Sequence, residues 1–289
     1  MKRVQLIAGV VLVAVVLLVA VVSVFWTPFD PVQVVPTDRL APPGWPHLLG
    51  TDGFGIDILS RLMVGARTTV VVGIISVGLA VVVGVPTGML AGQSGGWIDE
   101  VVMRTFDVVY ALPALLLAML LAAVFGASTL TAMIAIGVAT IPAVARVARA
   151  GTKQVMATDF VLAARVSGTS RWGVARRHVL PNIAPVIGVQ ASVGFALAIL
   201  AEAALSYLGL ATPRPTPTWG NMLRDAQQYL FVIPIQALWP GLAIAVAVLG
   251  FNLLGDGLRD YLDPRLRELS CVCWRCRTSV CASAGVHRR

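Results

Sequence analysis

Long runs without charge, separated by short polar segments rich in glycine and proline, organise this chain of 289 residues. Residues 4–26 carry no charge. They are long enough to cross a bilayer, because about 20 residues at about 1.5 Å each cover the hydrocarbon core. Met1-Lys2-Arg3 resembles the start of a signal peptide, but no small-residue cleavage site precedes Phe25-Trp26-Thr27-Pro28. An aromatic and proline exit suits an anchored helix at the outer interface. Residues 68–91 predict a second span, closed by the turn Gly92-Gln93-Ser94-Gly95-Gly96. Between Asp107 and Arg146 lie 38 uncharged residues. As one helix they would run about 57 Å, too far for a single crossing. Gly126-Ala127-Ser128 splits them into two antiparallel spans, within which Pro113 and Pro142 are candidate kinks. Residues 183–207 and 230–255 complete an expected six. The predicted organisation is an N-terminal helix (1–26), an extracytoplasmic segment (27–67), a core of five spans (68–256) with a polar loop at 151–182, and a cytoplasmic tail (257–289).

Composition agrees with the pattern. The chain is 57% hydrophobic and 12% charged, with a mean hydropathy of +0.84, outside the range of water-soluble domains. Helices satisfy their own backbone hydrogen bonds in lipid, so an all-α integral membrane bundle is the expected fold class. With both termini cytoplasmic, seventeen Lys and Arg residues fall inside and five outside, a positive-inside bias. The net charge of +8 therefore reports topology and contact with anionic membrane lipid, and no nucleic-acid partner is expected.

The segment 159–182, DFVLAARVSGTSRWGVARRHVLPN, interrupts the apolar pattern with a basic loop. Thr158 is placed to cap a short helix opened by Asp159, Gly168 to stop it in the left-handed region, and Ser170 to cap a second helix running to Leu180. The first helix is too short to persist alone in water and needs a surface to lie on. Phe160, Ala163, Ala164 and Ser167 share one face, small residues around an aromatic knob. Two occupants fit that face: lipid headgroups drawn by Arg165, Arg171, Arg176 and Arg177, or a protein partner. The proline-rich outer loops likewise read either as connectors or as a docking surface for a soluble protein.

Ala163-Ala164, Gly168 and His178-Val179-Leu180-Pro181 resemble the EAA loop of ATP-binding-cassette importer permeases, with Leu162 where the motif opens on glutamate. The resemblance extends from about residue 48 to 267. Leu49-Gly50-Thr51-Asp52, Gly55, Asp57, Ser60-Arg61-Leu62 and Gly65-Ala66-Arg67 resemble the dipeptide, oligopeptide and nickel permeases, with Ile56 where arginine is usual. Gly95-Gly96-Trp97-Ile98-Asp99 and the run from Ala201-Glu202-Ala203 to Leu208-Gly209 are similar to the same permeases, and Pro217-Thr218-Trp219-Gly220 and Asn252-Leu253-Leu254-Gly255-Asp256-Gly257-Leu258-Arg259-Asp260 resemble more specifically their dipeptide-type C subunit.

The resemblance implies a type I importer permease bundle of the MetI-like kind. It implies a homologous second permease, two cytoplasmic ATP-binding subunits and an extracytoplasmic solute-binding protein as partners. ATP and magnesium would be used by those ATPases, and no cofactor is expected on this chain. By the same resemblance Phe160, Leu162, Ala163, Ala164, Gly168, His178, Leu180 and Pro181 would form the ATPase-coupling surface. Peptides are the implied cargo, with nickel complexes or haem as alternatives. The chain holds no Gly-x4-Gly-Lys-Ser/Thr loop and no Ser-His-acid set within its spans, so it is not expected to be an enzyme. An ion-coupled secondary transporter is the other class to weigh; such proteins place ionisable sites at mid-membrane, and no charged residue is expected at mid-depth here. Glu202, expected near the outer interface, either faces the bundle interior and shapes a vestibule or is wetted by outside water. Cys271, Cys273, Cys276 and Cys281 lack the usual zinc spacing, and the tail 271–281 reads as a disordered basic extension.

Overall fold

The computed structural model describes residues 2–262. The cysteine-rich tail, with Arg265 and Arg267 of the charge count, lies outside the described residues. The elements are α1 (Lys2–Phe25), α2 (Ile58–Ser94), α3 (Gly96–Ala111), α4 (Ala114–Phe125), α5 (Thr129–Met156), α6 (Asp159–Val166), α7 (Arg171–Val174), a π-helical turn (Ala175–Val179), α8 (Leu180–Tyr207), α9 (Trp219–Gln227) and α10 (Ile235–Leu262). Among the described residues five continuous helices are long and apolar enough to cross a membrane. The pair α3 and α4 makes a sixth crossing if the two count as one bent span.

The third span is broken at Pro113, one of the two candidate kinks. It bends by 82° between α3 and α4. Pro113 causes the break: its ring disfavours helical backbone at Leu112, which is extended at φ −83° and ψ 123°. Pro142, by contrast, lies within α5 without ending it. The turn at Gly126 forms as the pattern predicts, with φ at +85° and Ser128 capping α5 through the Thr131 amide. Helix α2 begins at Ile58, inside the segment 27–67, because the Asp57 carboxylate accepts from both the amide and the hydroxyl of Ser60.

Close backbone approach holds the bundle together. On α2, Gly88 faces α5 so tightly that a Cβ there would lie 2.3 Å from the Ala145 carbonyl oxygen. In lipid, where no water is released between helices, such small-residue contacts and their dispersion energy replace the hydrophobic drive. Ser76 adds an interhelical hydrogen bond to the Met133 carbonyl at 2.9 Å. Helices α1 and α10 run antiparallel, with Gly257 against Leu6 and Gly9 against Leu253 and Leu254, so both described termini reach the same end. We call this the loop end, since it also carries residues 157–182. The opposite, cap end carries residues 27–57 and α9.

At the cap end Arg61 is buried between Asp52 and Asp225, and Asp225 also receives Arg214. Gln236 donates to the Thr51 carbonyl at 2.9 Å. The two proline-punctuated loops are thus tied to each other and to the first turn of α10. At the loop end Asp99, in the first turn of α3 and outside the apolar stretch, is clamped by Arg149 and Lys153 from α5. The hydrogen bond from Arg149 is the main reason its carboxyl is held down at about 2, with Lys153 adding to it and burial opposing.

Candidate functional site

The segment after α5 turns back on itself through local chemistry. Thr158 does not cap α6 as its position suggests. Its hydroxyl donates instead to the Val155 carbonyl at 2.6 Å, closing the end of the preceding helix, and the Thr158 carbonyl begins α6. The other end forms as predicted. Gly168 sits at φ +83°, its amide bonds Arg165 and the Thr169 amide bonds Ala164, both at 3.0 Å, which is the Schellman arrangement. Ser170 then caps α7 through the Gly173 amide at 3.1 Å.

The second helix does not stop at Leu180. The π-helical turn joins α7 to α8, making one continuous helix of 37 residues from Arg171 to Tyr207. Pro181 is carried through it. A π turn shifts the pairing to i→i−5, as in the bond from the Leu180 amide to Ala175, and Pro181 has no donor to misplace where the α register resumes. Asn182 Nδ2 meets the His178 carbonyl at 2.6 Å.

Among the candidate residues, Phe160 is 48% exposed and Leu162 51%. Ala163, Gly168, Leu180 and Pro181 are also exposed, while Ala164 and His178 are half-buried. The Phe160 ring tilts toward His178 with centroids 6.0 Å apart, so this pair bridges α6 to the long helix. Val161, which the sequence reading passed over, is fully buried. It shares a core with Val144, Val174, Val179 and Ile183, and holds α6 against the bundle while the Phe160–Ala163 face stays open. Its signal was faint: one β-branched residue opposite a small-residue face. Arg165, Arg171, Arg176 and Arg177 surround the segment with no carboxylate within 4 Å among the described residues.

Glu202 lies apart from this site, toward the cap end of α8. It is 1% exposed, enclosed between helices with no water-facing surface. Ser206 donates to its Oε1 at 2.7 Å; Oε2 and the nearby Thr69 hydroxyl have no partner. Beside it α9 packs on α8 so closely that a Cβ on Gly220 would lie 2.3 Å from the Ala203 carbonyl oxygen. Thr218 caps α9 through the Asn221 amide, and Trp219 Nε1 reaches the Leu62 carbonyl at 3.0 Å. The motif residues 49–52, 60–61 and 217–220 therefore converge on one cap. The Arg61–Asp225 pair that joins them had no local signal, since its partners lie 164 residues apart. Among the described residues no group of three or more His, Cys, Asp or Glu side chains is placed to hold a metal ion.

Comparison with known proteins accounts for this arrangement. Residues 84–268 match the family described as the binding-protein-dependent transport system inner membrane component. The chain is 43% identical to the dipeptide transport system permease protein DppC of Escherichia coli K12, with 91% of this chain and 89% of that protein covered. It is 39% identical to the glutathione transport system permease protein GsiD of Pectobacterium atrosepticum, over 88% of this chain and 85% of that one. Among solved structures, an inward-facing MetNI methionine ABC transporter superposes with a TM-score of 0.57 at 16% identity, covering 71% of this chain and 98% of that chain. An all-helical bundle of this shape, matched by profile over most of its core and by relatives over nearly its full length, is a multi-pass inner-membrane permease subunit, and the chain belongs to the binding-protein-dependent transport system inner membrane component family.

Proposed function

We propose that this chain is one of two permease subunits of an ATP-driven importer for dipeptides or closely related small peptides, with its loop end on the cytoplasmic side. The observation that carries the mechanism is the seating of α6. The helix is pinned to the bundle by Val161, while Phe160, Leu162 and Ala163 remain open. A surface that is fixed behind and apolar in front suits docking into a cleft of a cytoplasmic ATPase. Leu162 gives apolar contact where the motif's acid would give an ionic one. Movement imposed there passes directly into α8, because Phe160 rests on His178 of the continuous helix. ATP with magnesium would be bound and hydrolysed by the partner subunits. A solute-binding protein would deliver peptide at the cap end, and a homologous permease would complete the pathway. The cargo reading follows the peptide-transport relatives.

The test is a reconstituted importer carrying Ala163→Asp. Peptide-stimulated ATP hydrolysis and uptake should be lost, while membrane insertion and pairing with the second permease persist. Wild-type uptake by this variant would sink the coupling assignment. Unchanged dipeptide uptake after deletion of the gene would sink the peptide reading.

A further inference from the structure

The loop end carries a second feature, on the far side of the segment from α6. A groove of about 700 Å³ opens between the last turns of α2 and the start of the long helix, within the range of about 300–1,000 Å³ usual for ligand sites. Its α2 wall is apolar through Met89 and Leu90, with Gln93 at the end. Its other wall carries Arg171, Trp172 and Arg176. Both arginines are exposed and lack a carboxylate within 4 Å among the described residues, whereas Asp99 nearby already holds Arg149 and Lys153. Gln93 Nε2 is buried with no acceptor. Trp172 is 74% exposed, an indole at the boundary between apolar and charged surface.

We infer that this groove binds one anionic phospholipid of the inner leaflet. The charge pattern and the shape require the same occupant. Two free guanidiniums ask for a phosphate with several acceptor oxygens. The wall of Met89 and Leu90 asks for hydrocarbon, which a free phosphate or a soluble anion does not bring. A zwitterionic lipid offers the chain but adds an ammonium beside two cations. An anionic lipid satisfies both, with acyl chain along α2 and headgroup at Arg171 and Arg176. It would bridge the end of α2 to the helix that continues from the docking segment, so its occupancy sets how firmly that segment is joined to the bundle. The inference rests on the reading above for one point, that the loop end meets the inner leaflet.

The experiment is native mass spectrometry of the intact importer complex, titrated with phosphatidylglycerol and, separately, with phosphatidylcholine. Wild type should retain phosphatidylglycerol selectively. Arg171→Gln with Arg176→Gln should bind it about thirtyfold more weakly, at roughly fivefold per arginine near an anionic surface. Arg165→Gln with Arg177→Gln removes the same charge away from the groove and should change retention far less. Gln93→Glu keeps both arginines and nearly the same shape, yet should also expel the lipid by placing a carboxylate in the groove. Equal weakening by the two arginine pairs would mean diffuse surface charge and would overturn the site. So would a wild-type complex retaining no phosphatidylglycerol, as expected if the second permease covers the groove. Lipid retention is read without ATP or peptide, so its failure is separate from a failure of the transport reading.

Discussion

Replacing Val161 with alanine should loosen α6 without unfolding the bundle. The side chain is fully buried against Val174, Val179 and Ile183. Its truncation removes two methylene equivalents, about 1.6 kcal/mol at about 0.8 kcal/mol each. An incompletely collapsed cavity of roughly 40 Å³ adds about 1 kcal/mol at about 24 cal/mol per Å³. A total of about 2–3 kcal/mol lowers the docked-to-undocked ratio of α6 by roughly thirty- to a hundred-and-fiftyfold. The helix has eight residues and cannot persist once it leaves its seat, so undocking is local unfolding. Hydrogen exchange on the chain in lipid nanodiscs reads this directly. The amides of residues 163–169 should lose protection by that factor, while those of α2 and α5 stay as in wild type. In the assembled importer, peptide taken up per ATP should fall. Wild-type protection in α6 would refute the assignment of Val161 as its anchor; an equal loss across α5 would show that the residue supports the whole bundle.

Gly168→Ala meets no atom within 4 Å of the added Cβ, so its cost is the left-handed backbone alone, about 1–2 kcal/mol, appearing as faster exchange at the end of α6; Gly168→Asn should cost less. Asp99→Asn removes the clamp on Arg149 and Lys153. Because the Asp99 carboxyl is held at about 2, below its ordinary value of 3.8, the clamp contributes fully above that ordinary value and is lost as pH falls toward 2. The melting-temperature gap between wild type and variant should therefore close over that window, and a constant gap would contradict the clamp. Glu202→Gln keeps an acceptor for Ser206 and should melt within a few degrees of wild type, whereas Glu202→Leu strands the Ser206 hydroxyl at about 1–3 kcal/mol and should melt lower. Gly220→Ala forces a Cβ toward the Ala203 carbonyl and should lower thermal stability by roughly 1–3 kcal/mol through displacement of α9, measurable as a lower melting point of the purified chain.

Features set by a residue's own backbone were readable from the sequence. Gly126 and Gly168 both adopt positive φ at the breaks their positions predict, and Ser170 caps the helix that it precedes. Features decided by competition between neighbours were not. Thr158 had two acceptable partners, the amides ahead and the carbonyl behind, and the carbonyl took its hydroxyl. Pro113 and Pro181 look alike in sequence, yet one bends the chain by 82° and the other rides within a helix, because only Pro181 follows a π turn. The face of α6 was legible because small residues repeat at helical spacing; its anchor was not, because burial of a single valine depends on residues from α5 and α8. The Arg61–Asp225 link is a tertiary pairing with no local pattern at all.

The unbroken helix from Arg171 to Tyr207 has a geometric consequence. Thirty-seven residues form a rod of about 55 Å, so a tilt of about 5° at its base sweeps its tip through about 5 Å. The tip carries Glu202, and against it sit Gly220 and the cap, packed too tightly to slide independently. A change of a few degrees at the base of this helix is thereby carried to the cap end as a displacement of several ångströms.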